Sequence, residues 1–176
     1  MRLLKFGLAI AARLLLLLCA GTAFATSVHL APGLEMPLPS SLIIEVLDAQ
    51  VPGKAPFLAG EIGGEPGYFI AATRIKTRDQ NLALWKRLES EIRKRSINKN
   101  FVSERKGNFS TQQNDPVWFR SYQYDSANQT HRQVYFLLKH DESAYWIILT
   151  AAEGVSLDLV IPIAEALIGR THSADK

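Results

Sequence analysis

Four segments in the second half of the chain follow one another at hairpin spacing: "FVSERKGNFS" (101–110), "VWFRSYQY" (117–124), "RQVYFLLK" (132–139) and "AYWIILT" (144–150). They are rich in β-branched and aromatic residues, and polar turns such as "DSANQTH" and "HDES" separate them. Connections this short cannot carry a parallel crossover, which needs roughly a dozen residues or more. This half must therefore be an antiparallel meander. Within it Val134, Phe136 and Leu138 alternate with other residues, so one face of that strand is expected in the core.

Upstream, residues 27–40 carry three prolines and cannot be helical. Leu34-Glu35-Met36 is expected to be a short edge strand, where such prolines are tolerated. "SLIIEVLDAQV" and "FLAGEI" read as a hairpin around "PGKAP", and "GGEPG" turns the chain into a third strand, "YFIAATRIK". The period then changes. Leu82, Trp85, Leu88 and Ile92 recur at spacings of three and four, which predicts an amphipathic helix over 79–96. Thr77-Arg78-Asp79-Gln80 fits a capping box, with Asp79 a competing cap. A second helix is expected over 156–169, with Ser156 as cap and Gly169 as stop; Pro162 either kinks it or restricts it to 161–169. The order predicts an α+β fold, an antiparallel β-sheet with two main helices packed on it. The expected organisation is a leader (1–25), an extended Pro-rich arm (26–40), one α+β domain (41–170) and a flexible tail (171–176).

The leader reads as an export signal. Arg2, Lys5 and Arg13 accompany a leucine-rich run, and Ala23 and Ala25 supply small residues at the −3 and −1 positions of a cleavage site. Cleavage after Ala25 removes Cys19, the only cysteine, so disulfides, thiol catalysis and thiolate metal sites are not expected afterwards. Two rivals are weaker. A lipoprotein signal wants a small residue before its cysteine, and Leu18 sits there. A retained membrane span would bury Arg13, at about 2.5–3.5 kcal/mol. The expected location is periplasmic or secreted.

Charge is informative by position. The net +3 comes from 20 Lys+Arg against 17 Asp+Glu, and three of the basic residues belong to the leader, so the remainder is balanced. The high pI therefore gives no reason to expect a nucleic-acid partner. Residues 74–106 nevertheless hold eleven Lys/Arg against four acids, between two acidic arms. Arg74, Arg78, Lys86, Arg93 and Lys94 are the candidate contacts for an acidic partner, another envelope or secreted protein, with an anionic membrane surface as the alternative. A second candidate surface is Trp118, Arg120 and Tyr122, which share a strand face; these types recur at binding hot spots, although packing in a core explains them as well.

Signatures of chemistry are missing. His131 and His140 bracket one strand, about 30 Å apart at about 3.3 Å per residue, and cannot share a metal. His29 lies among prolines and His172 in the tail. "GEIGGEPG" is followed by a strand and lacks the lysine of a phosphate loop. No serine sits in a nucleophile elbow. No metal or cofactor is expected.

The element order resembles that of the PsbP-like and DcrB-like families, exported α/β/α sandwiches that include photosystem accessory subunits and small bacterial envelope proteins. "LEMPLPSS", "RQVYFLLK" and "AYWIILT" carry the similarity across roughly residues 34–169. The resemblance implies a scaffold that binds or assists partners without catalysis, and it transfers no site residue. The expected function is that of a non-enzymatic exported accessory protein; a chaperone-like or toxin-neutralising role belongs to this class. The alternative is a small envelope hydrolase whose carboxylates converge only in three dimensions.

Overall fold

The structure, a computed structural model, describes residues 26–48, 55–75, 79–95, 100–126, 129–140 and 142–173. The leader with Ala23 and Ala25, Arg78, and residues 174–176 lie outside the described residues. Among these residues ten strands and two helices follow in the order β1 (Thr26–Ala31), β2 (Leu34–Leu38), β3 (Ile44–Leu47), β4 (Phe57–Ile62), β5 (Glu65–Ile75), α1 (Asn81–Arg95), β6 (Val102–Ser110), β7 (Pro116–Ser126), β8 (Gln129–His140), β9 (Ser143–Ala151), α2 (Leu157–Ile168) and β10 (His172–Ser173). Seven strands form one sheet, β3-β4-β5-β9-β8-β7-β6, and β1-β2-β10 form a second. Every pairing is antiparallel. The expected α+β class with two helices is what the chain adopts.

Period-two alternation sorts the large sheet into two buried faces. Val134, Phe136 and Leu138 point with Tyr145, Ile147 and Leu149 toward α2 and the β1–β2 hairpin. The intervening Tyr135 and Leu137 are buried too, against α1. The strand is thus covered on both sides, where alternation alone gave it one buried face. Two glycines explain a hairpin that the sheet depends on. Gly63 and Gly64 both have positive φ, the left-handed backbone that turns β4 into β5. Next to them Gly60 must lack a side chain, because a Cβ there would overlap the Tyr68 ring.

The proline-rich arm is part of the core. Leu30, Leu34 and Met36 are buried, and β2 is the middle strand of its sheet rather than an edge. Pro37 is accommodated because β10 pairs only with Glu35 and Leu34, leaving the Pro37 end of β2 open on that side. The tail also differs from expectation: Thr171 is buried, its hydroxyl donating to the Ile168 carbonyl (2.7 Å), and His172 and Ser173 pair with β2. In α2, Ser156 caps the N-terminus by accepting from the Asp158 N–H (3.2 Å), and the helix runs through Pro162 without dividing. Asp79 does not cap α1. The Gln80 carbonyl accepts the first helical bonds, from Ala83 and Leu84, while Asp79 pairs with Arg87 at 2.6 Å.

Topology decides how much of the sheet α1 covers. The chain leaves β5 in mid-sheet and re-enters at the β6 edge, so α1 spans β9, β8 and β7. Among the described residues, the same face of β3, β4 and most of β5 receives no helix.

Candidate interaction surfaces

The buried side of α1 is Leu84, Trp85, Leu88 and Ile92. Leu82, expected on that side, is 59% exposed. Beneath the helix lies an aromatic layer: Trp85 meets Trp146 edge-on at 4.8 Å, Tyr135 meets Trp146 at 6.4 Å, and Tyr122 meets Tyr135 at 5.8 Å. A polar junction holds helix and sheet together. Glu89 Oε1 accepts from Arg120 Nη1 (2.6 Å) and from the Tyr122 hydroxyl (2.9 Å), and the Arg120 guanidinium lies over the Trp85 ring. Burial, reinforced by the Glu89 carboxylate, pushes the Tyr122 phenol well above its ordinary range. Burial does the same for Tyr135, with Tyr124 beside it adding to the shift. The hydroxyls of Tyr124 and Tyr135 both donate to Gln133 Oε1, at 2.6 and 2.7 Å.

This arrangement divides the candidate residues. Trp118, Arg120 and Tyr122 belong to the helix–sheet interface, and Tyr122 is fully buried. Trp118 and Arg120 keep part of their surface exposed beside the helix, while Tyr122 does not. Arg74 follows Ala72 on the opposite face of β5, where its guanidinium donates to Ser143 Oγ at 2.7 Å. It does not join the helix. Lys86, Arg93 and Lys94 are exposed and line one shallow depression with Glu89 and Ser90. Lys94 pairs with Glu91 at 2.8 Å and holds that carboxyl below the usual range by hydrogen bond and charge. Arg93 lies 4.0 Å over the Phe101 ring. Glu89 was invisible as a site residue in the sequence, since its partners lie more than thirty positions away.

Two further clusters escaped the sequence. His140 Nδ1 lies 2.8 Å from Asp115 Oδ2, and His172 Nε2 lies 3.4 Å from Glu35 Oε2. With Tyr145 and Thr171 these histidines and Asp115 line a narrow crevice, where Tyr145 donates its hydroxyl to the Gly33 carbonyl (3.1 Å). Each ion pair lies within one sheet, and the Tyr145 hydroxyl ties the large sheet to the β1–β2 turn of the small one. At the other end of β8, Arg132, His131 and Glu153 border an open polar groove of about 960 Å³. The His131 ring stacks on Tyr124 at 5.3 Å. Among the described residues no three His, Cys, Asp or Glu converge as metal ligands, and no helix is long and apolar enough to cross a membrane.

No family model and no curated protein matches the chain. Solved structures do. A Pseudomonas aeruginosa protein of unknown function aligns at 11% identity and TM-score 0.43, over 76% of this chain and 88% of that one. LpqN, involved in cell envelope biogenesis of Mycobacterium tuberculosis, aligns at 12% identity and TM-score 0.50, over 84% of this chain and 89% of LpqN. The cyanobacterial PsbP (CyanoP) of Synechocystis sp. PCC 6803 aligns at 12% identity and TM-score 0.52, over 80% of this chain and 86% of CyanoP. At such identities the shared property is the fold, and the fold of this chain is PsbP-like.

Proposed function

We propose that the protein is a non-enzymatic accessory protein of the bacterial envelope, exported and freed of residues 1–25, that binds an acidic partner protein on the outer face of α1. The observation carrying this reading is the charge left over on that face. Glu89, the one acid in the depression, turns inward to Arg120 and Tyr122, and Glu91 is engaged by Lys94. Lys86 and Arg93 face solvent with no acidic partner among the described residues. A cluster of this kind attracts an acidic surface, and the attraction weakens with salt. LpqN's involvement in cell envelope biogenesis, on a similar fold, supports an envelope setting.

The test is a pull-down from envelope extract with the wild-type protein and with a variant in which Lys86, Arg93 and Lys94 are all glutamate. Proteins captured by the wild type and lost from the variant, and released from the wild type by raised salt, are the expected result. An unchanged set of captured proteins removes the α1 face from consideration. Mass spectrometry of the protein from its host should find Thr26 as the first residue; an intact leader contradicts export with cleavage.

A further inference from the structure

The two edges of the large sheet are guarded differently. Edge strands expose unpaired N–H and C=O groups, and proteins blunt them with charges, bulges or prolines. At one edge β6 carries Glu104, Arg105 and Lys106, and its register shifts by a bulge between Ser103 and Lys106. At the other edge β3, Ile44-Glu45-Val46-Leu47, has neither Lys nor Pro, and its register against β4 is unbroken. No described residue pairs with its outer side.

The geometry of β3 shows which groups are on offer. The Glu61 N–H donates to the Ile43 carbonyl (3.1 Å), in the same register that pairs Ile44 with Gly60. Antiparallel strands alternate, so Ile43, Glu45 and Leu47 bond inward to β4, while Ile44 and Val46 aim N–H and C=O outward. The side chains around them are apolar and accessible: Ile43 is 67%, Val46 41% and Phe69 37% exposed. Ile43, Glu45 and Leu47 share the face that α1 leaves bare with Phe57, Ala59 and Phe69. Around this patch Glu45, Asp48, Glu61 and Glu65 have no cationic partner among the described residues.

We propose that the β3 edge docks an extended segment of another protein, apolar with a lysine or arginine at its centre, which joins the sheet as an eighth strand. Four residues of edge with alternate apolar side chains is the scale of peptide recognition by strand addition. The acids select a basic guest, whose cation sits across from or diagonal to Glu45 on the bare face. They also argue against a second copy, which would bring two Glu45–Asp48 edges together. The site lies on β3 rather than on α1 and has the opposite charge, so either can fail without the other.

The probe is the capped peptide Ac-Thr-Val-Val-Lys-Val-Val-Thr-amide and its twin with Glu for Lys, titrated into the purified protein with amide exchange followed by NMR. The Lys peptide should slow exchange at Ile44 and Val46 and bind about tenfold tighter than the twin. Glu45→Lys should reverse that preference, and Val46→Pro should abolish binding while leaving the fold intact, since only an outward N–H is lost. Three results overturn the proposal: no saturable binding at about 1 mM peptide, protection confined to other residues, or a dimer of the protein that Val46→Pro dissolves.

Discussion

The two faces of the seven-stranded sheet are buried by different chemistry. Toward α2 and the small sheet the contacts are mostly Val, Leu, Ile and Phe side chains, joined by Tyr68 and Tyr145, with Phe136 held between Phe109 and Phe119 at 6.3 and 5.6 Å. Toward α1 the contacts are Trp and Tyr, interlaced with Glu89, Arg120 and Gln133. Apolar burial is insensitive to orientation, so the first face supplies stability from many equivalent contacts. The second face fixes one helix in one orientation through directional bonds, and so settles which residues α1 turns outward. That division explains how a helix with a charged outer face sits firmly on a sheet it covers only in part.

The comparison breaks if the α2 face is not the stronger one. Phe136→Ala removes a fully buried ring and should cost about 3–5 kcal/mol in urea denaturation, the largest effect expected here. Glu89→Leu should cost about 1–3 kcal/mol, because it strands the Arg120 cation and the Tyr122 hydroxyl under the helix. Adding Arg120→Met to Glu89→Leu should restore much of that loss, since replacing this partly buried ion pair by apolar side chains leaves no stranded charge. A double variant no more stable than Glu89→Leu alone would mean that Glu89 acts through something other than Arg120.

A weaker effect follows pH, and Tyr68 on the α2 face shares it with three tyrosines of the α1 face. Tyr122, Tyr124 and Tyr135 all have phenols raised above the ordinary value of 10.0, chiefly by burial. Above about pH 10 the unfolded chain releases these protons while the folded one retains them, so stability falls as pH rises past that point. Denaturation midpoints measured between about pH 8 and 11 should decline at the upper end. Tyr135→Phe should flatten the decline; equal slopes for both proteins would deny Tyr135 its part.

Much of this architecture is legible locally, and the rest depends on partners distant in sequence. "FLAGEI" marks β4 because turn residues flank it, and the meander follows from connection length. The buried side of α1 is ambiguous in the sequence because spacings of three and four fit Leu82 as well as Leu84 with Trp85 and Leu88; the layer beneath chooses Leu84. Apolar residues at both parities of β7 do signal coverage on both faces. For Arg120 the sequence leaves both a packed and a binding role open, because its partner Glu89 lies on another element. The pairing of His172 with Glu35 joins the two ends of the domain, and neither segment carries a local sign of it. Which strand becomes an edge is likewise a property of the whole order, so the bare β3 face has no signature in residues 41–51.

The smallest expected effect bears on the α1 surface. Lys94 and Glu91 are one turn apart and both side chains are about half exposed or more. Exposed helix pairs at this spacing contribute little, and salt reduces that further. Lys94→Ala should therefore leave the denaturation midpoint nearly unmoved. A clear downward shift of the midpoint would exceed what an exposed pair supplies and would make the outer face of α1 part of the scaffold. An unmoved midpoint leaves that face free of structural duty, the condition under which its charge can be committed to a partner.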